Sequence, residues 1–154
     1  MNIFTVSFFG HRQIAYSFSV EKKLEKKIKE LLLAKEYLEF LVGRDGEFDL
    51  LVASTVRRCK RVFRDDNSAL ILMLPYETAE YKNNIESFHK YYDEVEICDS
   101  SAKKYFKTAH QARNRSMVDR SDLVIFCVER CSGGAYQTMK YAANNGTKYI
   151  NLLE

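Results

Sequence analysis

Three glycine-bearing segments carry the residues best able to do chemistry: Gly10-His11-Arg12, Gly43-Arg44-Asp45-Gly46-Glu47-Phe48-Asp49 and Gly133-Gly134-Ala135. Gly133 and Gly134 stand ahead of a run with helical spacing, which offers free backbone N–H groups at a helix N-terminus with no side chain to keep an anion away. A phosphate fits there, although an ordinary tight turn also accounts for paired glycines; Ser132 and Thr138 add hydroxyl groups nearby. In the middle segment, Asp45 or Glu47 can hydrogen-bond ribose hydroxyls or serve as a general acid or base, while Glu47 and Asp49 at a helix start equally complement the helix dipole. Arg12 supplies an anion contact, and His11 reads as a hydrogen-bonded structural residue ahead of a base, because the spacing sets no nucleophile or metal-ligand partner beside it.

Arg113 is the remaining candidate. Phe106, Ala109, Arg113 and Met117 follow one another at helical spacing, so a guanidinium falls in an apolar stripe, where it is costly without a partner. Two solutions stand: a salt bridge to Asp119 or Asp122, or bidentate recognition of a ligand phosphate or carboxylate. The segment Gly43–Asp49 is neither a Walker A loop nor the G-x-G-x-x-G of dinucleotide-binding folds, so the familiar ATP and NAD mechanisms have no direct support.

The elements that position these residues are legible as runs. Ile3–Phe9, Tyr37–Val42, Ala69–Leu74, Glu94–Cys98, Leu123–Val128 and Tyr149–Leu153 read as strands, the first apolar throughout as in a strand buried on both faces. Pro75 ends the third near Leu74. Between them lie helical patterns. One follows Ser19 as N-cap, with Val20, Leu24, Ile28, Leu31 and Leu32 buried and the lysines in water; a second buries Val52, Val56, Cys59 and Phe63. A third spans Thr78–Lys90, a fourth runs from about Ala102 to Asp119 with Ser101 or Asp99 as cap, and the last ends at Asn144-Asn145-Gly146, where glycine suits a left-handed C-terminal position. Strands alternating with helices predict α/β architecture: one domain over residues 1–154, a Rossmann-like three-layer sandwich with a mainly parallel sheet, whose loops at the carboxyl ends of the strands line one crevice.

A chain of 154 residues, 46% hydrophobic, suffices for one such core. No apolar run is long enough to span a bilayer and no secretory signal precedes the first strand, which predicts a cytoplasmic protein without membrane association. Cys59, Cys98, Cys127 and Cys131 lack the paired spacing of a zinc site, so no metal is expected and the thiols read as idle ones in a reducing compartment. The net charge of +3, from 24 Lys and Arg against 21 Asp and Glu, is too mild to call for nucleic acid. The basic run Arg57, Arg58, Lys60, Arg61 and Arg64 reads as a solvated helix face, since no exposed aromatics interleave it.

Taken together, Ser7–Arg12, the loop ending Gly46-Glu47-Phe48-Asp49, the segment Ala112–Asp122 (Ala-Arg-Asn-Arg-Ser-Met-Val-Asp-Arg-Ser-Asp) and Gly133-Gly134-Ala135 resemble the SLOG superfamily. Its namesakes are the Smf/DprA proteins and the LOG cytokinin-activating enzymes, and the small YpsA-like bacterial proteins are the most similar branch. The resemblance covers nearly the whole chain. It implies a Rossmann-like fold whose regions around Gly10, Gly43, Gly46, Gly133 and Gly134 bind a nucleotide or nucleotide-derived ligand, with Arg113 matching an arginine of the LOG active site. LOG enzymes cleave the N-glycosidic bond of nucleoside monophosphates and carry P-G-G-x-G-T-x-x-E; here Cys131–Tyr141 has no proline, third glycine or glutamate.

The expectation is a binding protein or sensor for a nucleotide-like small molecule, with Gly133, Gly134 and Ser132 on phosphate, Arg113 and Arg12 on anionic groups, and Glu47 or Asp45 on ribose. No cofactor beyond that ligand is expected. A nucleoside monophosphate hydrolase would use Arg113 with Glu47 or Asp45 as the carboxylate that N-glycosidic cleavage requires. The Smf/DprA relatives suggest a DNA-associated protein as a third reading, and the LOG relatives suggest a homodimer.

Overall fold

The computed structural model describes residues 1–98 and 106–154. Six parallel strands form one sheet in the order β4-β3-β2-β1-β5-β6. They are β1 (Ile3–Gly10), β2 (Tyr37–Val42), β3 (Ser68–Leu74), β4 (Glu94–Ile97), β5 (Leu123–Cys127) and β6 (Tyr149–Asn151). The helices are α1 (Ser17–Ala34), α2 (Glu47–Val62), α3 (Ala79–Asn83), α4 (Ile85–Tyr91), α5 (Phe106–Arg120) and α6 (Gly134–Asn144).

Strand alternation divides the core into two layers. Val6 and Phe8 of β1 face α1 and α2, joining Leu24, Ile28, Val52 and Val56; Phe9 of β1 and Phe126 of β5 face the other side, with Met117 of α5 and Ala142 of α6. Covered on both faces, the central strands can be largely apolar, as the first run predicted; β5 is buried throughout as well. The α/β, Rossmann-like three-layer architecture expected from the sequence is what the chain adopts. Among the described residues no helix is long and apolar enough to cross a membrane.

The differences from expectation are local. Helix α1 starts at Ser17 instead of after Ser19, because the Tyr16 carbonyl already accepts the first helical bond, from Val20 N–H at 3.1 Å. Tyr16 reaches this position with φ 57°, in the left-handed region. The single helix expected over Thr78–Lys90 is two, because Asn84 N–H turns back to Tyr81 O at 3.0 Å and closes the first; Thr78 Oγ1 caps that helix by accepting from Tyr81 N–H at 3.1 Å. β6 stops at Asn151, two residues short of Leu153. Gly146 takes the expected left-handed conformation, φ 72°, after α6. The expected caps Asp99 and Ser101, the helix start from Ala102 and the Phe106 side chain lie outside the described residues.

Candidate functional site

β1 lies between β2 and β5 in the sheet; the chain leaves β1 toward α1 on one face and leaves β5 toward α6 on the other. At such a switch point the two connections diverge and leave a crevice outside the carboxyl ends of the strands. Here it has a volume of about 520 Å³ and is lined from all three glycine-bearing segments and from α5.

One bank of the crevice is a packed charge cluster. Arg113, 2% exposed, pairs through Nη2 with Asp45 Oδ2, donates from Nη1 to Met73 O at 3.3 Å and from Nε to Asn114 Oδ1 at 3.1 Å. His110 lies one helical turn away with Nε2 3.5 Å from Asp45 Oδ1. Burial pushes the Asp45 carboxyl up, but the Arg113 guanidinium, aided by His110 and Arg12, outweighs it and holds the carboxyl below its ordinary range. Asp49, in the first turn of α2, turns back to accept Asp45 N–H at 2.8 Å. Burial, with the Asp45 charge adding, pushes its carboxyl up to about 6 against the Asp45 amide and Arg113. Gly43 gives the cluster room: a Cβ there would stand 3.1 Å from Arg113 Nη1 and 3.2 Å from Asp49 Oδ2.

Neither Asp119 nor Asp122 is the partner of Arg113. Asp119 accepts from Tyr141 Oη at 2.8 Å, and Asp122 Oδ2 accepts from Thr5 N–H at 2.8 Å, each held by its own neighbour.

The opposite bank is open. Gly133 is the N-cap of α6 with φ 93°, and a Cβ on Gly133 or Gly134 would meet nothing within 4 Å. The first amides of α6 point out of the helix with no intrahelical partner, as at any helix start. Arg12 and Arg130 line the crevice, both exposed, and among the described residues neither side chain is engaged in an ion pair or hydrogen bond. His11 is buried and fixes the loop behind them. Its Nε2 accepts from Glu129 N–H and Arg130 N–H, both at 3.2 Å, which places the ring proton on Nδ1. Burial lowers its pKa, Arg130 adds to this and Glu129 opposes, so the neutral ring is the favoured form.

Gly10, His11, Arg12, Gly43, Asp45, Arg113, Gly133 and Gly134 thus meet at one crevice. The other expected residues stand apart from its lining. Gly46 caps α2, where a Cβ would come within 2.4 Å of Arg12 Cα, so it serves close packing of two loops. Glu47 is exposed; its amide donates to Arg12 O at 2.8 Å and its Oε2 accepts from Ile14 N–H at 3.2 Å, which makes it the tie between those loops. Ser132 is exposed on the approach to α6. Thr138 is buried and donates to Gly134 O at 2.9 Å while accepting from Asn114 Nδ2 at 3.1 Å. A side-chain relay therefore runs from Gly134 O through Thr138, Asn114 and Arg113 to Asp45. Asp49, His110, Asn114 and Arg130 were not foreseen as site residues; for His110 the signal was present, three residues before Arg113 on the same helix.

No family model matches the chain, and no curated protein matches it. Solved structures share its fold, two of which are DNA processing proteins. DNA processing protein A (DprA) from Streptococcus pneumoniae is 18% identical with a TM-score of 0.70, over 96% of this chain and 49% of that one. DNA processing protein A from Helicobacter pylori, whose single-stranded DNA binding mode has been described structurally, is 15% identical with a TM-score of 0.67, over 95% of this chain and 63% of that one. These neighbours are Smf/DprA proteins of the SLOG superfamily, and the chain spans from about half to under two thirds of their length.

Proposed function

We propose that the crevice binds the phosphate-bearing backbone of single-stranded DNA. The observation that carries the reading is the open bank: two exposed arginines, Arg12 and Arg130, that make no ion pair among the described residues, beside the unobstructed N-terminus of α6 at Gly133-Gly134. Guanidinium groups and helix-start amides are both phosphate ligands, and together they fit a polyanion lying along the crevice. The fold shared with a DNA processing protein that binds single-stranded DNA supports the same reading. It revises the expectation drawn from the net charge of +3, because the sum conceals where unpaired cations sit. Closeness to the YpsA-like branch of the superfamily is part of the same proposal and rests on the sequence resemblance alone.

The test is anisotropy of a labelled oligonucleotide as a function of salt. Loss of a phosphate contact lowers the slope of log affinity against log salt by about 1. Arg12→Ala and Arg130→Ala are each expected to do so, whereas Arg58→Ala, whose guanidinium is paired with Glu21 and Glu25, is not. Equal effects at all three positions overturn the reading.

A free nucleotide is the second reading, favoured by the size of the crevice, which at about 520 Å³ falls in the range of small-molecule sites. Stabilisation by nucleoside phosphates in a thermal-shift series supports it. Analysis of the same mixtures for released base tests the hydrolase, for which Asp45, alone of the two carboxylates considered, lines the crevice.

A further inference from the structure

We propose that Tyr16 and Phe18 form a base-stacking platform beside the phosphate site, so that a single strand held through its backbone at Arg12 lays neighbouring bases on the two rings. The inference rests on the single-stranded DNA reading above and deepens it. Both rings are displayed to solvent, Tyr16 at 77% and Phe18 at 71% exposure, two residues apart where the chain enters α1. They belong to the connection that carries Arg12, four residues before Tyr16, and Lys22 extends the cationic track with its Nζ 5.0 Å from the Phe18 ring centroid. Cations flanking exposed aromatic rings are the composition of single-strand sites, because every base has a face to stack whatever its sequence.

The connection is also held in place. Arg12 O accepts from Glu47 N–H, Ile14 N–H donates to Glu47 Oε2 at 3.2 Å, and Gly46 lets the α2 start close on the Arg12 backbone. At its end Tyr16 takes φ 57° and ψ 42°, the only left-handed non-glycine among the described residues. Left-handed backbone suits glycine or asparagine, and a bulky ring there sets an unfavourable conformation against nothing gained in packing, since the ring buries little surface. A ligand contact is the compensation that the exposed position leaves open.

The experiment compares binding of an oligothymidylate with that of an abasic deoxyribose-phosphate oligomer of equal length, for the full chain and for Tyr16→Gly, Phe18→Ala and Phe18→Tyr. Tyr16→Gly relieves the backbone while removing the ring, so it leaves folding intact. Each ring-deleting variant is expected to weaken oligothymidylate binding at least about fivefold and to leave the abasic oligomer unaffected, with Phe18→Tyr near the parent. If the parent binds both oligomers equally well and the variants change neither, the platform is overturned while the DNA reading stands. If the parent binds neither oligomer, the DNA reading fails and takes the platform with it.

Discussion

The two banks of the crevice use glycine and arginine for opposite ends. On the packed bank, glycine makes room for neighbours: a Cβ on Gly10 would collide with the Phe48 ring at 2.4 Å and one on Gly43 would stand 3.1 Å from Arg113 Nη1. On the open bank, Gly133 and Gly134 face empty space. Arginine divides the same way, Arg113 buried in an ion pair with its carboxylate and Arg12 and Arg130 exposed with no ion pair among the described residues. The contrast assigns stability to one bank and access to the other, although residue types alone would have ranked all of these positions together.

The largest blow to that comparison would come through Arg113. Arg113→Met strands the Asp45 carboxylate beside Asp49 and is expected to cost about 3–5 kcal/mol in urea unfolding, as for a broken buried pair. A loss below about 1 kcal/mol would place Arg113 with the access residues. Next, Gly10→Ala must push the buried Phe48 ring aside and is expected to cost about 2–3 kcal/mol, whereas Gly134→Ala, with open space around it, should stay within about 0.5 kcal/mol. Equal costs would erase the distinction between the banks.

The smallest effect sharpens it through pH. The Asp49 carboxyl, at about 6 in the fold, is raised above its ordinary 3.8, so the folded chain binds the proton more tightly than the unfolded one. Its contribution is complete below about pH 4 and is lost as pH rises through 6. Asp49→Asn, which keeps an oxygen for Asp45 N–H, should therefore raise stability at pH 7 by on the order of 2 kcal/mol and remove that decline, which thermal unfolding between pH 4 and 7 would show. Asp45 acts in the other direction: its lowered pKa stabilises the fold above pH 4, and that contribution is lost on further acidification.

The inner strands β3 and β5 could be read from the chain because burial on two faces demands apolar runs, which local sequence displays. The need of Arg113 for a partner was legible for the same reason. Its identity was not, because Asp45 lies 68 residues away and reaches it only through the side-by-side placement of β2, β1 and β5. Glu47 and Asp49 look alike in sequence, yet the first residue of α2 projects outward while the third turns under to the preceding loop. The break at Asn84 follows from one backbone amide choosing a nearer carbonyl, which hydrophobic periodicity does not register.

The central position of β1 has a consequence during synthesis. Its register joins Ile3 to Tyr37 on one side and Val6 to Leu123 on the other, so one edge is satisfied early and the second waits for most of the chain to be made. Until β5 arrives, an apolar strand presents a bare row of peptide groups, the template on which chains pair with one another. A nascent chain of this protein is therefore most exposed to aggregation in the interval before β5 leaves the ribosome, and the crevice, lined also by Arg130, Gly133 and Gly134, is completed only after that interval closes.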